Sequence, residues 1–485
     1  MIQKIITATP NGYYAAVVEI ETDVSNGLPV TIIVGLPDVV VQESKERVRS
    51  AIRNSSFRYP VHRISINLAP SNIPKVGSHF DLALALSILL AGGMISFDAR
   101  DKMFIGELAL DGSIRSSFGV LSMVLAAKKR GIKEVFVPLE NCREAFLVKG
   151  IVVYGASTLT QVIEHVLGTA YISATEEYNV KDNTRSQSDV DFADISGQFL
   201  AKRALLIAAS GFHNIRMVGP PGSGKTMLAK ALISILPPLS KDEVVQTTNI
   251  YSLAKCLQAP YVSRRPFRAP HHTASSVSLV GGGAKPKPGE ISLAHHGILF
   301  LDELPEFPRN VLEVLRQPLE DRRITISRAT HSLHFPAKFI LVAAQNPCHC
   351  GNFGDQLLKC VCHPAEVIKY NKKISGPLLD RIDLHITVPR LTFNEFSNTS
   401  NHVSSAEMRE HVVGAHGIQE RRFGVNKFNN EMNSQDIKKY CGLSVDGEKL
   451  LAHAVDTFQL SGRSISKLLK VSRTIADLSG SDKIM

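Results

Sequence analysis

The stretch "IRMVGPPGSGKTMLAKAL" holds Gly219, Pro220, Pro221, Gly222, Ser223, Gly224, Lys225 and Thr226 in the spacing Gly-x4-Gly-Lys-Thr. This spacing suits phosphate binding. Glycines let successive backbone N–H groups approach phosphate oxygens, and a helix starting near Met227 aims its positive end at the same place. Lys225 is placed for the β and γ phosphates and the Thr226 hydroxyl for Mg²⁺. A Gly-rich turn is the bland alternative. The apolar run Ile215 to Val218 before the loop and the helical pattern after it are the context a nucleotide site requires. ATP and Mg²⁺ are the expected cofactors.

Three further segments end in polar residues that can act on a bound triphosphate. "GILFLDELPEF" is an apolar strand, Ile298 to Leu301, ending in Asp302 and Glu303. Asp302 can hold Mg²⁺, and Glu303 can polarise an attacking water. "KFILVAAQN" ends in Asn346, which can orient that water or simply terminate a strand. "SGPLLDRIDLHI" places Arg381 in a short turn. There it either reaches a neighbouring subunit's γ phosphate in trans or forms an ion pair with Asp380 or Asp383.

"NPCHCGNFGDQLLKCVCHP" gathers Cys348, Cys350, Cys360 and Cys362 just past Asn346. Four thiolates suit tetrahedral Zn²⁺, although C-x-C is tighter than the usual C-x2-C. A structural zinc staple, uncoordinated reduced thiols and a redox switch are the open readings. Cys142, Cys256 and Cys441 stand alone and read as buried thiols. The adjacent His271 and His272 lack a third ligand nearby and read as hydrogen-bonding residues.

These segments need a scaffold. The chain has 485 residues, enough for two or three domains, with an ordinary soluble composition. Its start lacks the apolar core of a signal peptide, and "DLALALSILLAGGMI" is too short to span a bilayer, so a cytoplasmic location without membrane contact is expected. A net charge of +10 is compatible with nucleic acid but is spread along the chain. Before residue 172, strand-like runs ("YAAVVEIE", "VTIIVG", "HRISINLAP", "EVFVP") alternate with helix-like runs, which predicts an α/β domain. A polar linker covers 173–190. A second α/β region runs over 191–392, and from 405 to 485 the pattern is helical, which predicts a lid.

The strings "DFADISGQFLAKRALLIAASGFHNIRMVGPPGSGKTMLAKAL", "PFRAPHHTAS", "GGGAKPKPGEISLAHHGILFLDELPEF", "NPCHCG" and "SGPLLDRIDLHI" resemble the magnesium-chelatase-like AAA+ ATPases, and more narrowly the ComM/YifB branch. The resemblance spans essentially the whole chain. It implies an N-terminal Lon-protease-like (S5-like) α/β domain, an AAA+ P-loop α/β core and a C-terminal α-helical lid. It also implies a homo-hexameric ring that hydrolyses ATP and acts on branched or single-stranded DNA, with branch migration in natural transformation as the branch's role. Gly219 to Thr226, Asp302, Glu303, Asn346 and Arg381 carry over to the ATPase site. Lys470 and Arg473, in "KLLKVSRTIADL", are the two candidates for the lid's sensor of bound nucleotide.

The Lon-like segment departs from the protease pattern. "NIPKVGSHFDLALAL" puts His79 where the nucleophilic serine belongs, with Ser78 one residue off, and Leu121, Ser122 and Met123 occupy the turn of the segment that bears the lysine. A serine without a positioned base is a poor nucleophile, so a non-proteolytic scaffold is expected. Two other departures are His349 in place of a proline in Pro-Cys-Pro-Cys-Gly and an end at "SGSDKIM" that predicts a short lid. Candidate DNA-tracking cations are Lys285 and Lys287 on a Gly/Pro-rich loop, and Arg328 with His331 near the turn of a hairpin; ordinary solvated charges are the alternative. A chelatase-type subunit driving a partner protein, or a non-motor ATP-dependent regulator, are the rival functions.

Overall fold

The computed structural model describes residues 2–174, 190–283, 286–327, 332–393, 403–424 and 427–485. The chain divides into two compact units. The first is Met1–Lys181 with Lys241–Ser263 and Ser327–His334; the second is Asp182–Ser240, Arg264–Ile326 and Phe335–Met485.

In the first unit, seven strands form one sheet in the order Val30–Val34, Arg63–Ala69, Tyr14–Ser25, Gln3–Asn11, Lys102–Phe104, Glu134–Pro138, Val152–Ala156. Tyr14–Ser25 runs antiparallel to both of its neighbours. Alternation sets the faces: along Arg63–Ala69 the residues Ile64, Ile66 and Leu68 are buried and those between are not. The apolar run too short to span a bilayer contains the helix Asp81–Ala91, in which every residue from Asp81 to Leu90 is buried. A helix apolar all round belongs inside a core. Its buried Asp81 is held by Arg47 through Nε at 2.9 Å and Nη2 at 3.2 Å. Burial still raises this carboxyl above its ordinary range.

The Lon-like positions sit inside this unit. His79 is buried against Phe80 and Phe118, with ring centroids 4.4 and 6.1 Å away. Burial pushes its pKa down to about 4. Ser78 donates its hydroxyl to Glu107. Leu121, Ser122 and Met123 are buried, and Ser122 Oγ donates to Gly119 O at 2.7 Å.

Two segments from within 191–392 belong to this first unit. The helix Lys241–Ala254 buries Thr247, Thr248, Asn249 and Ser252. Asn249 Nδ2 donates to Tyr13 O at 2.9 Å, and Ser252 Oγ accepts from Gly119 N at 3.1 Å. The return strand of the expected hairpin contributes His334, whose carbonyl accepts from Tyr13 N at 3.4 Å.

The second unit is built on a five-stranded parallel sheet in the order Phe267–Arg268, Ile298–Leu301, Ile340–Gln345, Ile215–Val218, Leu384–Thr387. Ile298–Leu301 and Ile340–Gln345 are buried at every residue. Alternate residues enter two different cores, which is why these strands read as unbroken apolar runs. Ile215–Val218, the earliest of these five strands in sequence, lies inside the sheet between Ile340–Gln345 and Leu384–Thr387. Strand order reverses there, and open α/β sheets place ligands beyond the strands' carboxyl ends at such a point. The helical C-terminal region consists of Ser405–Phe423, Ser434–Tyr440, Val445–Phe458 and Gly462–Leu478. Ser404, Asn433, Ser444 and Ser461 start these helices, each side chain accepting from a first-turn N–H.

Candidate nucleotide site

The loop after Ile215–Val218 is shaped by its glycines. A Cβ on Gly219 would lie 2.1 Å from Val388 O, so no other residue fits there. Gly222 and Gly224 adopt φ of +75° and +88°. The helix begins at Lys225, two residues before the expected Met227, with Gly224 as its cap. Lys225 Nζ donates to Gly219 O at 2.7 Å, Pro220 O at 2.8 Å and Asn346 Oδ1 at 3.3 Å. Burial lowers its pKa, and the Asp302 carboxylate opposes that shift.

Parallel register explains the convergence. Val218 pairs with Gln345, so Asn346 emerges level with Gly219. Ile298–Leu301 lies on the other side of Ile340–Gln345 and delivers Asp302. Thr226 Oγ1 donates to Asp302 Oδ2 at 3.1 Å. A hydroxyl and a carboxylate in this relation suit a small hard cation, which takes oxygen ligands. Ser223 Oγ is buried without a protein partner, so the loop retains unused polar capacity. The residues therefore fit a triphosphate with Mg²⁺: Thr226 and Asp302 would hold the ion, and Lys225 with the loop amides would hold the phosphates.

Glu303 stands at φ +50°, a left-handed conformation that is costly for a non-glycine residue. Its own N–H donates to Asp302 Oδ1 at 2.9 Å. Its carboxylate is half-exposed and lies 3.2 Å from His272 Nδ1. His271 is bonded to Thr273 Oγ1 at 2.9 Å and packs against His272, the rings tilted by 35° with centroids 4.0 Å apart. The pair is hydrogen-bonded as the sequence suggested, but the Glu303 contact was not foreseen. Recognising it required knowing that the strand before these histidines, Phe267–Arg268, pairs with Ile298–Leu301.

Arg381 lies away from the loop. Its Nη2 is 2.8 Å from Glu320 Oε1, so the ion pair is with Glu320 and not with Asp380 or Asp383. Asp383 instead accepts from Asn214 N at 3.0 Å and faces His213 Nδ1 at 3.4 Å. The same Glu320 oxygen receives Arg463 Nη2 from the start of the last helix. Two guanidiniums thus share one carboxylate beside an open cleft of ≈ 530 Å³ lined also by Glu313, Arg316, Gln317 and Thr325.

The two lid candidates have other partners. Arg473 is buried, bonded to Asp477 at 3.1 Å and to the carbonyls of Asp482 and Ser481. Lys470 Nζ donates to Asn430 O at 3.0 Å, and burial lowers its pKa. Both tie the lid together because their side chains turn into its small core. Arg463, missed in the sequence, is the lid arginine at the Arg381 corner. Lys287 is exposed on a short hairpin pairing Gly281–Gly282 with Lys287–Pro288. Lys285, Arg328 and His331 lie outside the described residues.

The four clustered thiols come together: their sulfurs all lie within 4.8 Å of one another. Cys348 Sγ is 3.4 Å from Cys350 Sγ and 3.7 Å from Cys360 Sγ. Cys142 and Cys441 are buried and Cys256 is half-buried. Among the described residues no helix is long and apolar enough to cross a membrane.

Three stretches of the chain match family models. Residues 191–396 match the family model described as magnesium chelatase, subunit ChlI. Residues 20–141 match "Subunit ChlI of Mg-chelatase", and 402–485 match its C-terminal model. The competence protein ComM of Haemophilus influenzae is 44% identical over 479 residues, covering 98% of this chain and 93% of that protein. YifB of Salmonella typhimurium is 41% identical over 477 residues, covering 98% and 92%. Lon protease 2 of Bacillus subtilis is 32% identical over 126 residues, covering 26% of this chain and 22% of that protein.

Proposed function

The chain belongs to the magnesium-chelatase-like AAA+ ATPases, in the branch that holds ComM and YifB, and from that membership we propose an ATP-driven homo-hexameric ring motor that acts on branched or single-stranded DNA. The observation that carries the reading is a division of labour. Lys225, Thr226, Asp302 and Asn346 meet within one chain, whereas Arg381 and Arg463 sit together on Glu320 beside an open cleft. A ring closes such an arrangement by bringing one subunit's arginines to the next subunit's phosphates.

In this reading each residue has one task. Lys225 and the amides of 219–226 bind the β and γ phosphates. Thr226 and Asp302 hold Mg²⁺, which supplies charge neutralisation between the phosphates. Glu303 accepts a proton from the attacking water, with His272 fixing its carboxylate until the site is filled. Asn346 orients that water. Arg381 and Arg463 stabilise developing charge from the neighbouring subunit, and Arg463 takes the sensor role first given to Lys470 or Arg473. The first unit serves as a non-proteolytic scaffold, supported by His79 in the nucleophile position and by Ser78 bonded to Glu107. The cysteine cluster is a structural zinc site. Lys285, Lys287 and Arg328 track the DNA backbone. Branch migration as the biological task comes from the branch's resemblance, and the name of the Haemophilus relative ties that protein to competence.

The test is ATP hydrolysis by the full chain with and without a four-way DNA junction, beside Glu303→Gln. Stimulation by the junction, abolished in the variant, is expected. Hydrolysis indifferent to DNA would overturn the DNA assignment and favour a chelatase-type role through a protein partner.

A further inference from the structure

Residues 346–363 contain no helix or strand. Their internal backbone bonds are few, such as Gly351 N to Cys348 O and Asp355 N to Asn352 O, both at 3.1 Å. A long irregular segment in a compact domain needs something to hold it. The four sulfurs supply a cage of the right size. With metal–sulfur bonds of about 2.3 Å, tetrahedral coordination puts sulfurs about 3.8 Å apart. The closest pairs here are at 3.4, 3.6 and 3.7 Å.

The cage touches the phosphate loop. Gly351, inside the cysteine segment at φ +80°, approaches Pro221 so closely that a Cβ would lie 2.5 Å from Pro221 Cδ. Upstream, Cys348 follows Asn346 by two residues, and Asn346 Oδ1 accepts from Lys225. Asn371 secures this stretch, donating to Pro347 O at 3.2 Å and accepting from Gln345 Nε2 at 3.2 Å. Within the segment, Asp355 pairs with Arg390 at 3.2 Å. The residue before Arg390 presents its carbonyl to Gln198 Nε2 at 2.7 Å, and the same amide reaches Ser223 O at 3.3 Å. The cysteine segment therefore forms one wall of the phosphate loop at Pro221 and is linked to Lys225 and Ser223 by short chains of contacts.

We propose that Cys348, Cys350, Cys360 and Cys362 hold one soft divalent cation, zinc by the thiolate chemistry, and that its occupancy sets nucleotide affinity by fixing Gly351 against Pro221. This inference rests on the nucleotide reading of the loop at 219–226. Thiolates favour zinc over magnesium, so the two metals serve separate sites. Without the cation, Gly351–Lys359 keeps the Asp355–Arg390 pair but loses the clamp at its two ends. The wall loosens, and a bound triphosphate must then order it.

The experiment uses the full chain purified in reducing buffer without chelator. Metal content is measured by inductively coupled plasma mass spectrometry, and affinity is measured with a fluorescent ATP analogue. The metal is then stripped with a mercurial and EDTA, the thiols are regenerated with excess reductant, and zinc or magnesium is added back. We expect one zinc per chain, an affinity loss of at least tenfold on stripping, and recovery with zinc but not magnesium. Gly351→Ala should keep its zinc and its circular dichroism spectrum while losing affinity, because the methyl lands on Pro221. A reduced chain without stoichiometric zinc overturns the cage. A stripped chain, or a zinc-loaded Gly351→Ala chain, with unchanged affinity overturns the coupling and leaves the nucleotide reading intact. A zinc-loaded chain that binds no nucleotide overturns both, and shows it before any stripping.

Discussion

The phosphate-loop corner and the arginine corner lie in the same unit and follow opposite rules. At the first, Lys225, Thr226, Asp302 and Asn346 satisfy one another within 3.3 Å, and their arrangement follows from three adjacent parallel strands ending at one level. At the second, Arg381 and Arg463 are neutralised by a single carboxylate, Glu320, on the wall of a cleft. The contrast teaches that one chain can close its phosphate corner on itself while holding two guanidiniums apart from it, the arrangement the proposed ring would use.

The strongest way to break the comparison is Arg381→Ala. If the arginine acts in trans, kcat for ATP hydrolysis should fall by about 10³-fold or more, with nucleotide affinity retained. Mixing it with a Lys225→Ala chain should then restore part of the activity, because each variant supplies what the other lacks. Equal loss in the mixture would show that both corners serve the same subunit. Glu303→Gln should lower kcat by about 10²- to 10⁴-fold, the range of a general base, while ATP still binds. A change confined to KM would remove Glu303 from the chemistry.

Arg473→Met sharpens the contrast between lid arginines. It removes a buried partner of Asp477, which keeps Arg422 at 2.9 Å and Asn429 at 2.7 Å. Denaturant unfolding should report a loss near the lower end of about 3–5 kcal/mol, with little change in hydrolysis at low temperature. Arg463→Ala should show the reverse pattern, stable and catalytically weak. The smallest effect belongs to Glu320→Gln. An ion pair this exposed contributes only about 0.2–1 kcal/mol, so stability should hardly move. A melting temperature shifted by many degrees would make Glu320 a structural residue and not a holder for the two arginines.

Much of the nucleotide corner was legible because its physics is local. Gly219 to Thr226 carry their own turn, helix start and charge, and the apolar strand before Asp302 and Glu303 announces itself. The lid arginines are less legible for a related reason. Lys470, Arg473 and Arg463 share one helical stretch, and nothing in their spacing tells which side chain turns into the lid core and which faces the cleft. The helix Lys241–Ala254 shows the same limit. Its buried Thr248 and Asn249 find partners at Val262 N and Tyr13 O, and nothing in the local sequence announces either contact.

From the sequence alone come the family, the two α/β regions with their helical end, the phosphate loop, the acidic strand end, Asn346 and the thiol cluster, because short-range spacing and hydrophobic period encode each of them. Only the tertiary structure decided that Glu303 rests on His272, that Arg381 shares Glu320 with Arg463, that Gly351 presses on Pro221, and that two segments of the ATPase region belong to the first unit. The side-chain relations among these join residues from 31 to 143 positions apart and depend on strand order and helix packing, which no local pattern records.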